Sequence, residues 1–203
     1  MKVIIVKGTY KKKGITSSLV NSFVKGISDT NKKINVEVAD LLDKKIEFCT
    51  GCLLCVKDKS LQIGKCPFND DVKGILQKMI EADVIVFATP IYDFGPTALL
   101  KRFMERAVCM SYFEPYPKPR VKKRKGKQGV VILHSACPAP LNDLTLMTAY
   151  PKFVLKFYLG FIGCTKKFVL SAGDMEENKK AKEKWKNKSY KLGIKVAKRL
   201  IKI

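Results

Sequence analysis

The cysteines are the residues of this chain whose type and spacing most clearly allow chemistry. Of the seven, four lie in one stretch, FCTGCLLCVKDKSLQIGKC (residues 48–66): Cys49, Cys52, Cys55 and Cys66. Three cysteines spaced three apart can converge on a small volume and a fourth can return from a loop, which suits a cubane iron-sulfur cluster. A zinc site, which more often joins two C-x2-C pairs, and a reduced-thiol loop lining a pocket or a subunit interface are the alternatives.

A second candidate site lies near the N-terminus, in the stretch KGTYKKKGITSS (residues 7–18). This stretch follows a short apolar run, carries three consecutive lysines, turns at Gly14 and opens a helix with hydroxyl side chains. Backbone N–H groups and the positive end of a helix dipole favour an anion at such a place. The stretch matches neither a Walker A sequence nor a G-x-G-x-x-G turn. It predicts an anion site, with an ordinary polar N-cap loop as the alternative.

Two further stretches follow apolar runs and carry groups that could contact a ligand. In ATPIYDFGPT (residues 88–97), a proline turn places the ring of Tyr92 where a planar ring system could stack, although packing would explain it equally. In HSACP (residues 134–138), His134 is the only histidine and Cys137 is a candidate redox thiol. A single histidine at a strand end is more often structural, and buried cysteines are often unreactive.

An alternation of strand-like and helix-like patterns must position these stretches. Short β-branched runs predict five strands, at residues 3–6, 34–38, 84–88, 130–133 and 168–170. Helical periodicity predicts five helices, at residues 15–28, 72–81, 97–109, 143–158 and 176–201. This order indicates βαβ crossovers and a parallel sheet that is covered on both faces. Such sheets bind ligands beyond the carboxyl ends of their strands, where the three loops should meet.

Composition and charge narrow the class of protein. The 203 residues show no evident linker, and we expect one domain. No signal peptide or membrane-spanning run is predicted, so we expect a cytoplasmic protein with reduced thiols. The formal net charge is +22, from 40 Lys and Arg against 18 Asp and Glu. Because the lysines are spread over the whole chain, we expect solvated surfaces that attract anionic small molecules, and we rank nucleic-acid binding lower.

Four motifs together resemble a known family: GTYKKKGIT, GKCPFNDD, ADVIVFATPIY and LLKRFMER. They are similar to the NADPH-dependent FMN reductase branch of the flavodoxin-like superfamily, and more narrowly to its iron-sulfur flavoproteins. The resemblance runs from Met1 to about Arg106. It implies an α/β, flavodoxin-like doubly wound sheet of five parallel strands in the order 2-1-3-4-5. It also implies a single FMN-binding domain over residues 1–203, with a cysteine-rich insertion at about 48–67, here called the cysteine segment.

The resemblance assigns cofactor roles by position. It implies that the FMN phosphate is held by Thr9, Lys11, Thr16 and Ser17 with backbone N–H groups near Gly14 and Ile15. It implies that the isoalloxazine is lined by Pro90, Ile91, Tyr92 and Asp93, and closed on its other side by the 134–138 loop with Ser135, Ala136 and Cys137. It favours a [4Fe-4S] cluster on the four clustered cysteines, although the ten residues between Cys55 and Cys66 exceed the spacing usual in iron-sulfur members.

The function implied is that of an FMN-dependent oxidoreductase. We expect electrons to pass between NAD(P)H or a ferredoxin-type donor and an acceptor, with the flavin carrying the chemistry and no catalytic residue identified. We also expect a homodimer or homotetramer. Two alternatives are kept: a flavin-binding electron carrier without NAD(P)H activity of its own, and a basic nucleic-acid-associated protein.

Overall fold

The computed structural model describes residues 1–174 and 178–202 of the chain. In chain order its strands are β1 (Lys2–Lys7), β2 (Asn35–Asp40), β3 (Val84–Tyr92), β4 (Gly95–Pro96), β5 (Ser111–Phe113), β6 (Pro117–Pro119), β7 (Arg124–Ser135) and β8 (Cys164–Gly173). Its α-helices are α1 (Ile15–Thr30), α2 (Val72–Glu81), α3 (Ala98–Arg106), α4 (Leu141–Leu144), α5 (Ala149–Phe161) and α6 (Lys179–Ile201). Short 3-10 helices occupy Leu41–Asp43, Leu54–Val56 and Ala107–Met110.

Five parallel strands form the central sheet, in the order β2-β1-β3-β7-β8. This order confirms the predicted flavodoxin-like arrangement, because β7 and β8 are the fourth and fifth strands that the sequence pattern indicated. Strand β1 pairs with β2 on one side and β3 on the other, so that Val3 lies between Val36 and Val84. The carboxyl ends of β1, β3 and β7 therefore lie side by side at one edge of the sheet.

Helices cover both faces of the sheet, which explains why the inner strands β1 and β3 are almost continuously buried. Along β3, alternate side chains enter opposite cores: Val86 faces α1 and α6, and Phe87 faces α2, α3 and α5. The residues of β3 from Val84 to Ile91 are all buried. Burying an aliphatic or aromatic side chain contributes about 1.5–3 kcal/mol, so these two cores fix the sheet that positions the loops.

The element bounds differ from the predicted ones where local pattern and tertiary pairing disagree. The predicted helix over 97–109 becomes α3 followed by a 3-10 turn from Ala107. The prediction of one helical region over 143–158 is wrong in detail, because the chain forms α4 and α5 with Leu146 between them at φ 58°. The sixth helix begins at Lys179, and its predicted start at Glu176 lies outside the described residues. The β5–β6 hairpin was not predicted.

No helix in residues 1–174 or 178–202 has a stretch of sufficient length and hydropathy to cross a membrane.

Candidate functional site

An open cavity of about 400 Å³ lies at the carboxyl edge of β1, β3 and β7. The loops that follow those three strands surround it, as the sequence pattern predicted. One wall comes from α6, which reaches the cavity from the other end of the chain. The lining residues are Thr9, Lys11, Lys13, Gly14, Ile15, Thr16, Pro90, Tyr92, His134 and Lys182.

The loop between β1 and α1 forms the floor of the cavity. Helix α1 begins after Gly14, which has no side chain to cap it, so the N–H groups of its first turn are left for another acceptor. Thr16 is buried in this turn, and its hydroxyl lies 3.1 Å from Nε2 of His134. The turn can donate backbone hydrogen bonds and a positive dipole end to a phosphate group.

Ser17 faces away from this cavity. Its hydroxyl donates to the Lys12 carbonyl at 2.7 Å and accepts from Nζ of Lys7 at 3.2 Å. Lys7 in turn forms a 2.6 Å ion pair with Asp40. These contacts fix the shape of the loop from behind, whereas the predicted role of the Ser17 hydroxyl at a phosphate stays a prediction.

Thr97 ties the first loop to the loop after β3. Its hydroxyl donates to the Gly8 carbonyl at 3.0 Å and caps α3 by accepting from the Leu100 N–H at 3.3 Å. Its own N–H donates to the hydroxyl of Thr89 at 3.2 Å. A Cβ atom on Gly8 would lie 2.7 Å from Cβ of Leu100, so only glycine lets the two loops approach this closely. The floor and the aromatic edge of the cavity are therefore held in fixed relation.

An aromatic pair forms the edge of the cavity. The rings of Tyr92 and Tyr10 are stacked, with centroids 6.0 Å apart and an interplanar angle of 9°. Strands β3 and β4 make a tight hairpin whose two turn residues, Asp93 and Phe94, have φ angles of 47° and 58°. Turns of this kind match the twist of paired strands but strain residues other than glycine, and such strain often occurs at functional sites. Ile91 packs into the core and is not among the lining residues, so its predicted role at the isoalloxazine stays a prediction.

The electrostatics of the cavity are cationic. Lys11, Lys13 and Lys182 line it, and no acidic residue is among the lining residues of the described chain. The pKa of His134 is lowered to about 4, mainly by burial and in smaller part by the charge of Lys11. The imidazole is therefore neutral at pH 7, and the lysines supply the positive field. A dianionic phosphate ester and an electron-rich ring would both be stabilised in this field.

The predicted 134–138 loop, whose first two residues are the last two of β7, contributes fewer side chains to the cavity than predicted. The Ser135 hydroxyl is buried, donates to the Cys137 carbonyl at 3.1 Å and accepts from the Asn142 amide at 3.2 Å. Ala136 is exposed and Cys137 is half-buried, and only His134 of this loop lines the cavity. The roles of Ser135, Ala136 and Cys137 at the isoalloxazine stay predictions.

Two lining lysines were not predicted. Lys13 lay within a predicted loop but was not singled out. Lys182 lies on α6, far from the other lining residues in sequence, and the helical pattern there indicated only a solvated basic face. No local signal distinguishes it from the other lysines of that helix.

The four clustered cysteines lie in two environments. Cys49 and Cys52 are exposed, Cys55 is buried and Cys66 is half-buried. Burial raises the pKa of the Cys55 thiol, and the neighbouring thiols of Cys66, Cys49 and Cys52 raise it further. Four soft sulfur donors are the ligand type of iron-sulfur and zinc sites, so the residue types of the segment fit such a group. Within the described ranges, however, no three cysteine, histidine or acidic side chains are gathered closely enough to hold a metal ion.

A fifth cysteine, Cys109, lies behind the cysteine segment, and it was not grouped with the other four in the sequence analysis. Its carbonyl accepts from the Gly64 N–H at 2.8 Å, and it shares a cavity of about 330 Å³ with Cys66. Its pKa is raised to about 12, mainly by burial and in smaller part by the charges of Cys55 and Cys66. Its position in the 3-10 turn that follows α3 could have indicated this, because Arg106, the last residue of α3, also contacts the segment.

Sequence comparison finds relatives that are named iron-sulfur flavoproteins. An iron-sulfur flavoprotein of Methanocaldococcus jannaschii is 39% identical over 107 residues, which are 53% of this chain and 52% of that protein. An iron-sulfur flavoprotein of Archaeoglobus fulgidus is 27% identical over 140 residues, which are 69% of this chain and 57% of that protein. The chain thus spans little more than half the length of these relatives.

Structural comparison agrees at the level of the fold. The NAD(P)H:quinone oxidoreductase from Methanothermobacter marburgensis superposes with a TM-score of 0.77 over 97% of this chain and 96% of that one, at 16% sequence identity. At this identity the likeness shows a shared fold. The sequence model of the family described as NADPH-dependent FMN reductase matches residues 1–139. This range includes all the lining residues of the cavity except Lys182 on α6. The chain therefore belongs to the NADPH-dependent FMN reductase family.

Proposed function

We propose that the protein is an FMN-dependent oxidoreductase that passes electrons from NAD(P)H or a small electron-transfer protein to an acceptor. The observation that carries this proposal is the cavity, in which an open helix N-terminus, three lysines and an exposed aromatic edge lie together. Membership of the FMN reductase family supports it. FMN, when bound, would accept electrons as a pair and release them singly or as a pair.

The residues of the chain have separate parts in this function. The first turn of α1, with Thr16, would hold the phosphate, and Lys11, Lys13 and Lys182 would supply its counter-charge. Pro90 and the Tyr92 edge would set the position of the ring system. His134, held neutral, would keep the Thr16 hydroxyl oriented without adding charge.

FMN binding tests the proposal, with Thr16→Ala compared with Thr30→Ala. Thr30 is the matched control because it lies at the other end of the same helix, where its hydroxyl bonds to the Gly26 carbonyl. A hydrogen bond to a charged group contributes about 1.5–3 kcal/mol, so Thr16→Ala should weaken FMN binding roughly 10- to 100-fold, while Thr30→Ala should leave it unchanged. The measurement is quenching of flavin fluorescence on titration.

Riboflavin, which lacks the phosphate, completes this test. It should bind wild type and Thr16→Ala equally, because the lost contact is to the phosphate. A wild-type protein that binds no FMN would overturn the proposed function. An equal loss of FMN and riboflavin binding in the variant would instead overturn only the phosphate assignment.

A specific feature favours a single-electron role within the same proposal. The relatives named iron-sulfur flavoproteins and the cysteine segment support a [4Fe-4S] cluster bound by Cys49, Cys52, Cys55 and Cys66. Such a group would pass electrons one at a time. Anaerobic mixing experiments would identify the electron donor. Bleaching of the flavin by NADH or NADPH supports the enzyme, whereas bleaching only by a reduced ferredoxin-type protein supports the electron carrier.

A further inference from the structure

Two arginines from outside the cysteine segment anchor it to the rest of the fold. The first, Arg106, ends α3 and its side chain is almost completely buried. Its Nη1 donates to the Glu47 carbonyl at 2.9 Å, at the start of the segment, and its Nη2 donates to Sγ of Cys66 at 3.3 Å, near the end. One guanidinium therefore joins both ends of the segment.

Asp70 fixes the orientation of that guanidinium. Its two oxygens accept from Nη1 at 2.6 Å and from Nη2 at 3.3 Å, and the Asp70 side chain is buried as well. Burial raises the pKa of the Asp70 carboxyl, but hydrogen bonds from the Glu47 N–H and from Arg106 outweigh it, so the net pKa is lowered. The ring of Phe68 covers one face of the guanidinium at 4.7 Å. A paired and stacked arginine has little freedom, so the group it contacts is held as well.

The second anchor is Arg120, which follows β6. Its Nε donates to the Ser111 carbonyl at 2.9 Å, its Nη1 to the Leu61 carbonyl at 2.9 Å and its Nη2 to the Cys55 carbonyl at 3.0 Å. The β5–β6 hairpin thus fixes the backbone at Cys55 through one side chain. Gly64 packs against the same carbonyl so closely that any Cβ atom there would collide with it.

The anchoring is unequal across the four cysteines, here called the thiol set. The two arginines contact Cys55 and Cys66, which are buried and half-buried, whereas Cys49 and Cys52 are exposed. We propose that Arg106 and Arg120 are positioning residues that hold Cys66 and Cys55 as the fixed half of the thiol set, onto which Cys49 and Cys52 close when metal is bound. This inference rests on the proposed metal-binding function of the segment.

The physical reason is that a preorganised pair of ligands lowers the entropic cost of binding. Closing a loop around a metal requires each ligand to lose backbone and side-chain freedom. If two of four ligands are already fixed by the fold, only the other two must be ordered by the metal. Loss of either arginine would add one more cysteine to those that the metal itself must order.

Cobalt titration of the metal-free protein tests the inference. Under anaerobic conditions, Co²⁺ bound by thiolates gives charge-transfer absorption that reports affinity without any activity assay. We expect Arg106→Lys and Arg120→Lys to weaken Co²⁺ binding at least tenfold. Arg124→Lys is the matched control, since Arg124 also bonds a carbonyl and a carboxylate, those of Ala82 and Asp83, but at the start of β7. It should leave Co²⁺ affinity unchanged.

The outcomes separate the inference from the proposed function. A wild-type protein that binds neither Co²⁺ nor iron and sulfide after reconstitution overturns the metal site itself. Wild-type Co²⁺ affinity in both arginine variants, with FMN binding intact as the check on folding, overturns the positioning role alone. Equal weakening by Arg124→Lys also overturns it, because the effect would then be general destabilisation.

Thiol labelling gives a second readout that needs no metal. In the metal-free wild type, an alkylating reagent followed by mass spectrometry should label Cys49 and Cys52 at least tenfold faster than Cys55. In Arg120→Lys, Cys55 should be labelled several-fold faster than in wild type. The substitution removes the hydrogen bond to the Cys55 carbonyl, so the backbone that keeps the sulfur buried is held less firmly. Equal labelling rates for Cys49 and Cys55 in the wild type would overturn the inference.

Discussion

At the scale of single residues, His134 combines a central position with an unusually low pKa. It lies at the carboxyl end of β7, where Nε2 meets the Thr16 hydroxyl at 3.1 Å. Its Nδ1 is buried and has no hydrogen-bond partner in the parts of the chain that the structure describes. Burial lowers the pKa to about 4, because charging the ring would remove a cation from water without a compensating anion. A ligand phosphate close by would be such an anion and would raise the pKa.

This protonation state predicts a pH dependence of stability. The folded state binds the His134 proton less tightly than the unfolded chain, whose histidine titrates near 6.5, so protonation favours unfolding. Without ligand, the free energy of unfolding should be unaffected by His134 above pH 6.5 and should fall by about 3 kcal/mol as the pH decreases from 6.5 to 4. Urea unfolding of wild type and His134→Gln measures this, and the difference between the two proteins should develop across that window and stay constant below it.

A direct measurement is available because the chain has one histidine. Its ring protons should titrate with a midpoint near 4 by NMR. A midpoint near the ordinary value would contradict the neutral, buried ring. Addition of FMN should move the midpoint upward if the phosphate lies near Thr16.

At the scale of elements, the crossing of α1 and α6 depends on two glycines that face each other's backbone. A Cβ atom on Gly193 of α6 would lie 2.2 Å from the Phe23 carbonyl oxygen, and one on Gly26 of α1 would lie 2.1 Å from the Tyr190 carbonyl oxygen. The Ser189 hydroxyl donates to the Leu19 carbonyl at 2.7 Å in the same interface. This close contact matters for the cavity because α1 follows the loop that we propose to hold the phosphate, and α6 carries Lys182.

Alanine substitution at Gly193 should therefore destabilise the fold. In an open helix position, replacing glycine by alanine stabilises by about 1 kcal/mol. At Gly193 the backbone atoms it would meet cannot move aside without separating the helices, so we expect a net loss of about 1–3 kcal/mol. Chemical denaturation of Gly193→Ala and wild type measures the difference.

Gly74 supplies the matched control for this prediction. It lies in α2, and a Cβ atom there would meet nothing within 4 Å. Gly74→Ala should stabilise the protein by about 0.5–1 kcal/mol. Stabilisation by both substitutions would show that the helix crossing can open without cost.

At the scale of the whole molecule, the sheet and the edge that carries the cavity were predictable because they follow from local pattern. Strand β3 is buried on both faces, so its apolar run is continuous, and Pro90 and Tyr92 could be placed at its carboxyl end. The polar start of β7 could not be read as a strand. The stretch from Arg124 to Lys127 is rich in lysine, and it belongs to β7 because Arg124 pairs with Cys164 of β8 ahead of an irregularity that ends at Gln128.

The parts of the site that local pattern could not predict depend on long-range contacts. Lys182 reaches the cavity only because α6 packs across α1. Arg106 was visible as the basic end of a helix, but its contact with Cys66 depends on how a loop folds back over 40 residues. Likewise the unequal burial of Cys55 and Cys52 cannot be read from equal spacing.

The net charge of +22 and the cationic cavity lead to a prediction about partners of the bound flavin. A positive field raises the association rate of anions and lowers that of cations, and salt screens both effects, with a Debye length of about 10 Å at 0.1 M. After anaerobic reduction of the FMN-loaded protein, reoxidation by ferricyanide should slow roughly tenfold from low to high salt. Reoxidation by hexaammineruthenium(III) should become faster, and that by an uncharged quinone should not change.

A pair of lysine variants tests whether the positive field at the cavity, and not the net charge of the molecule, accelerates the reaction with anions. Lys182→Gln removes a charge from the cavity wall, whereas Lys33→Gln removes one just before β2, at the opposite edge of the sheet. Because screening confines strong effects to about one Debye length, Lys182→Gln should slow the ferricyanide reaction about two- to threefold at moderate salt, and Lys33→Gln should leave it unchanged. Stopped-flow absorbance of the flavin measures both rates. Equal slowing by the two variants would mean that anions respond to the net charge of the molecule and that the cavity has no steering role of its own.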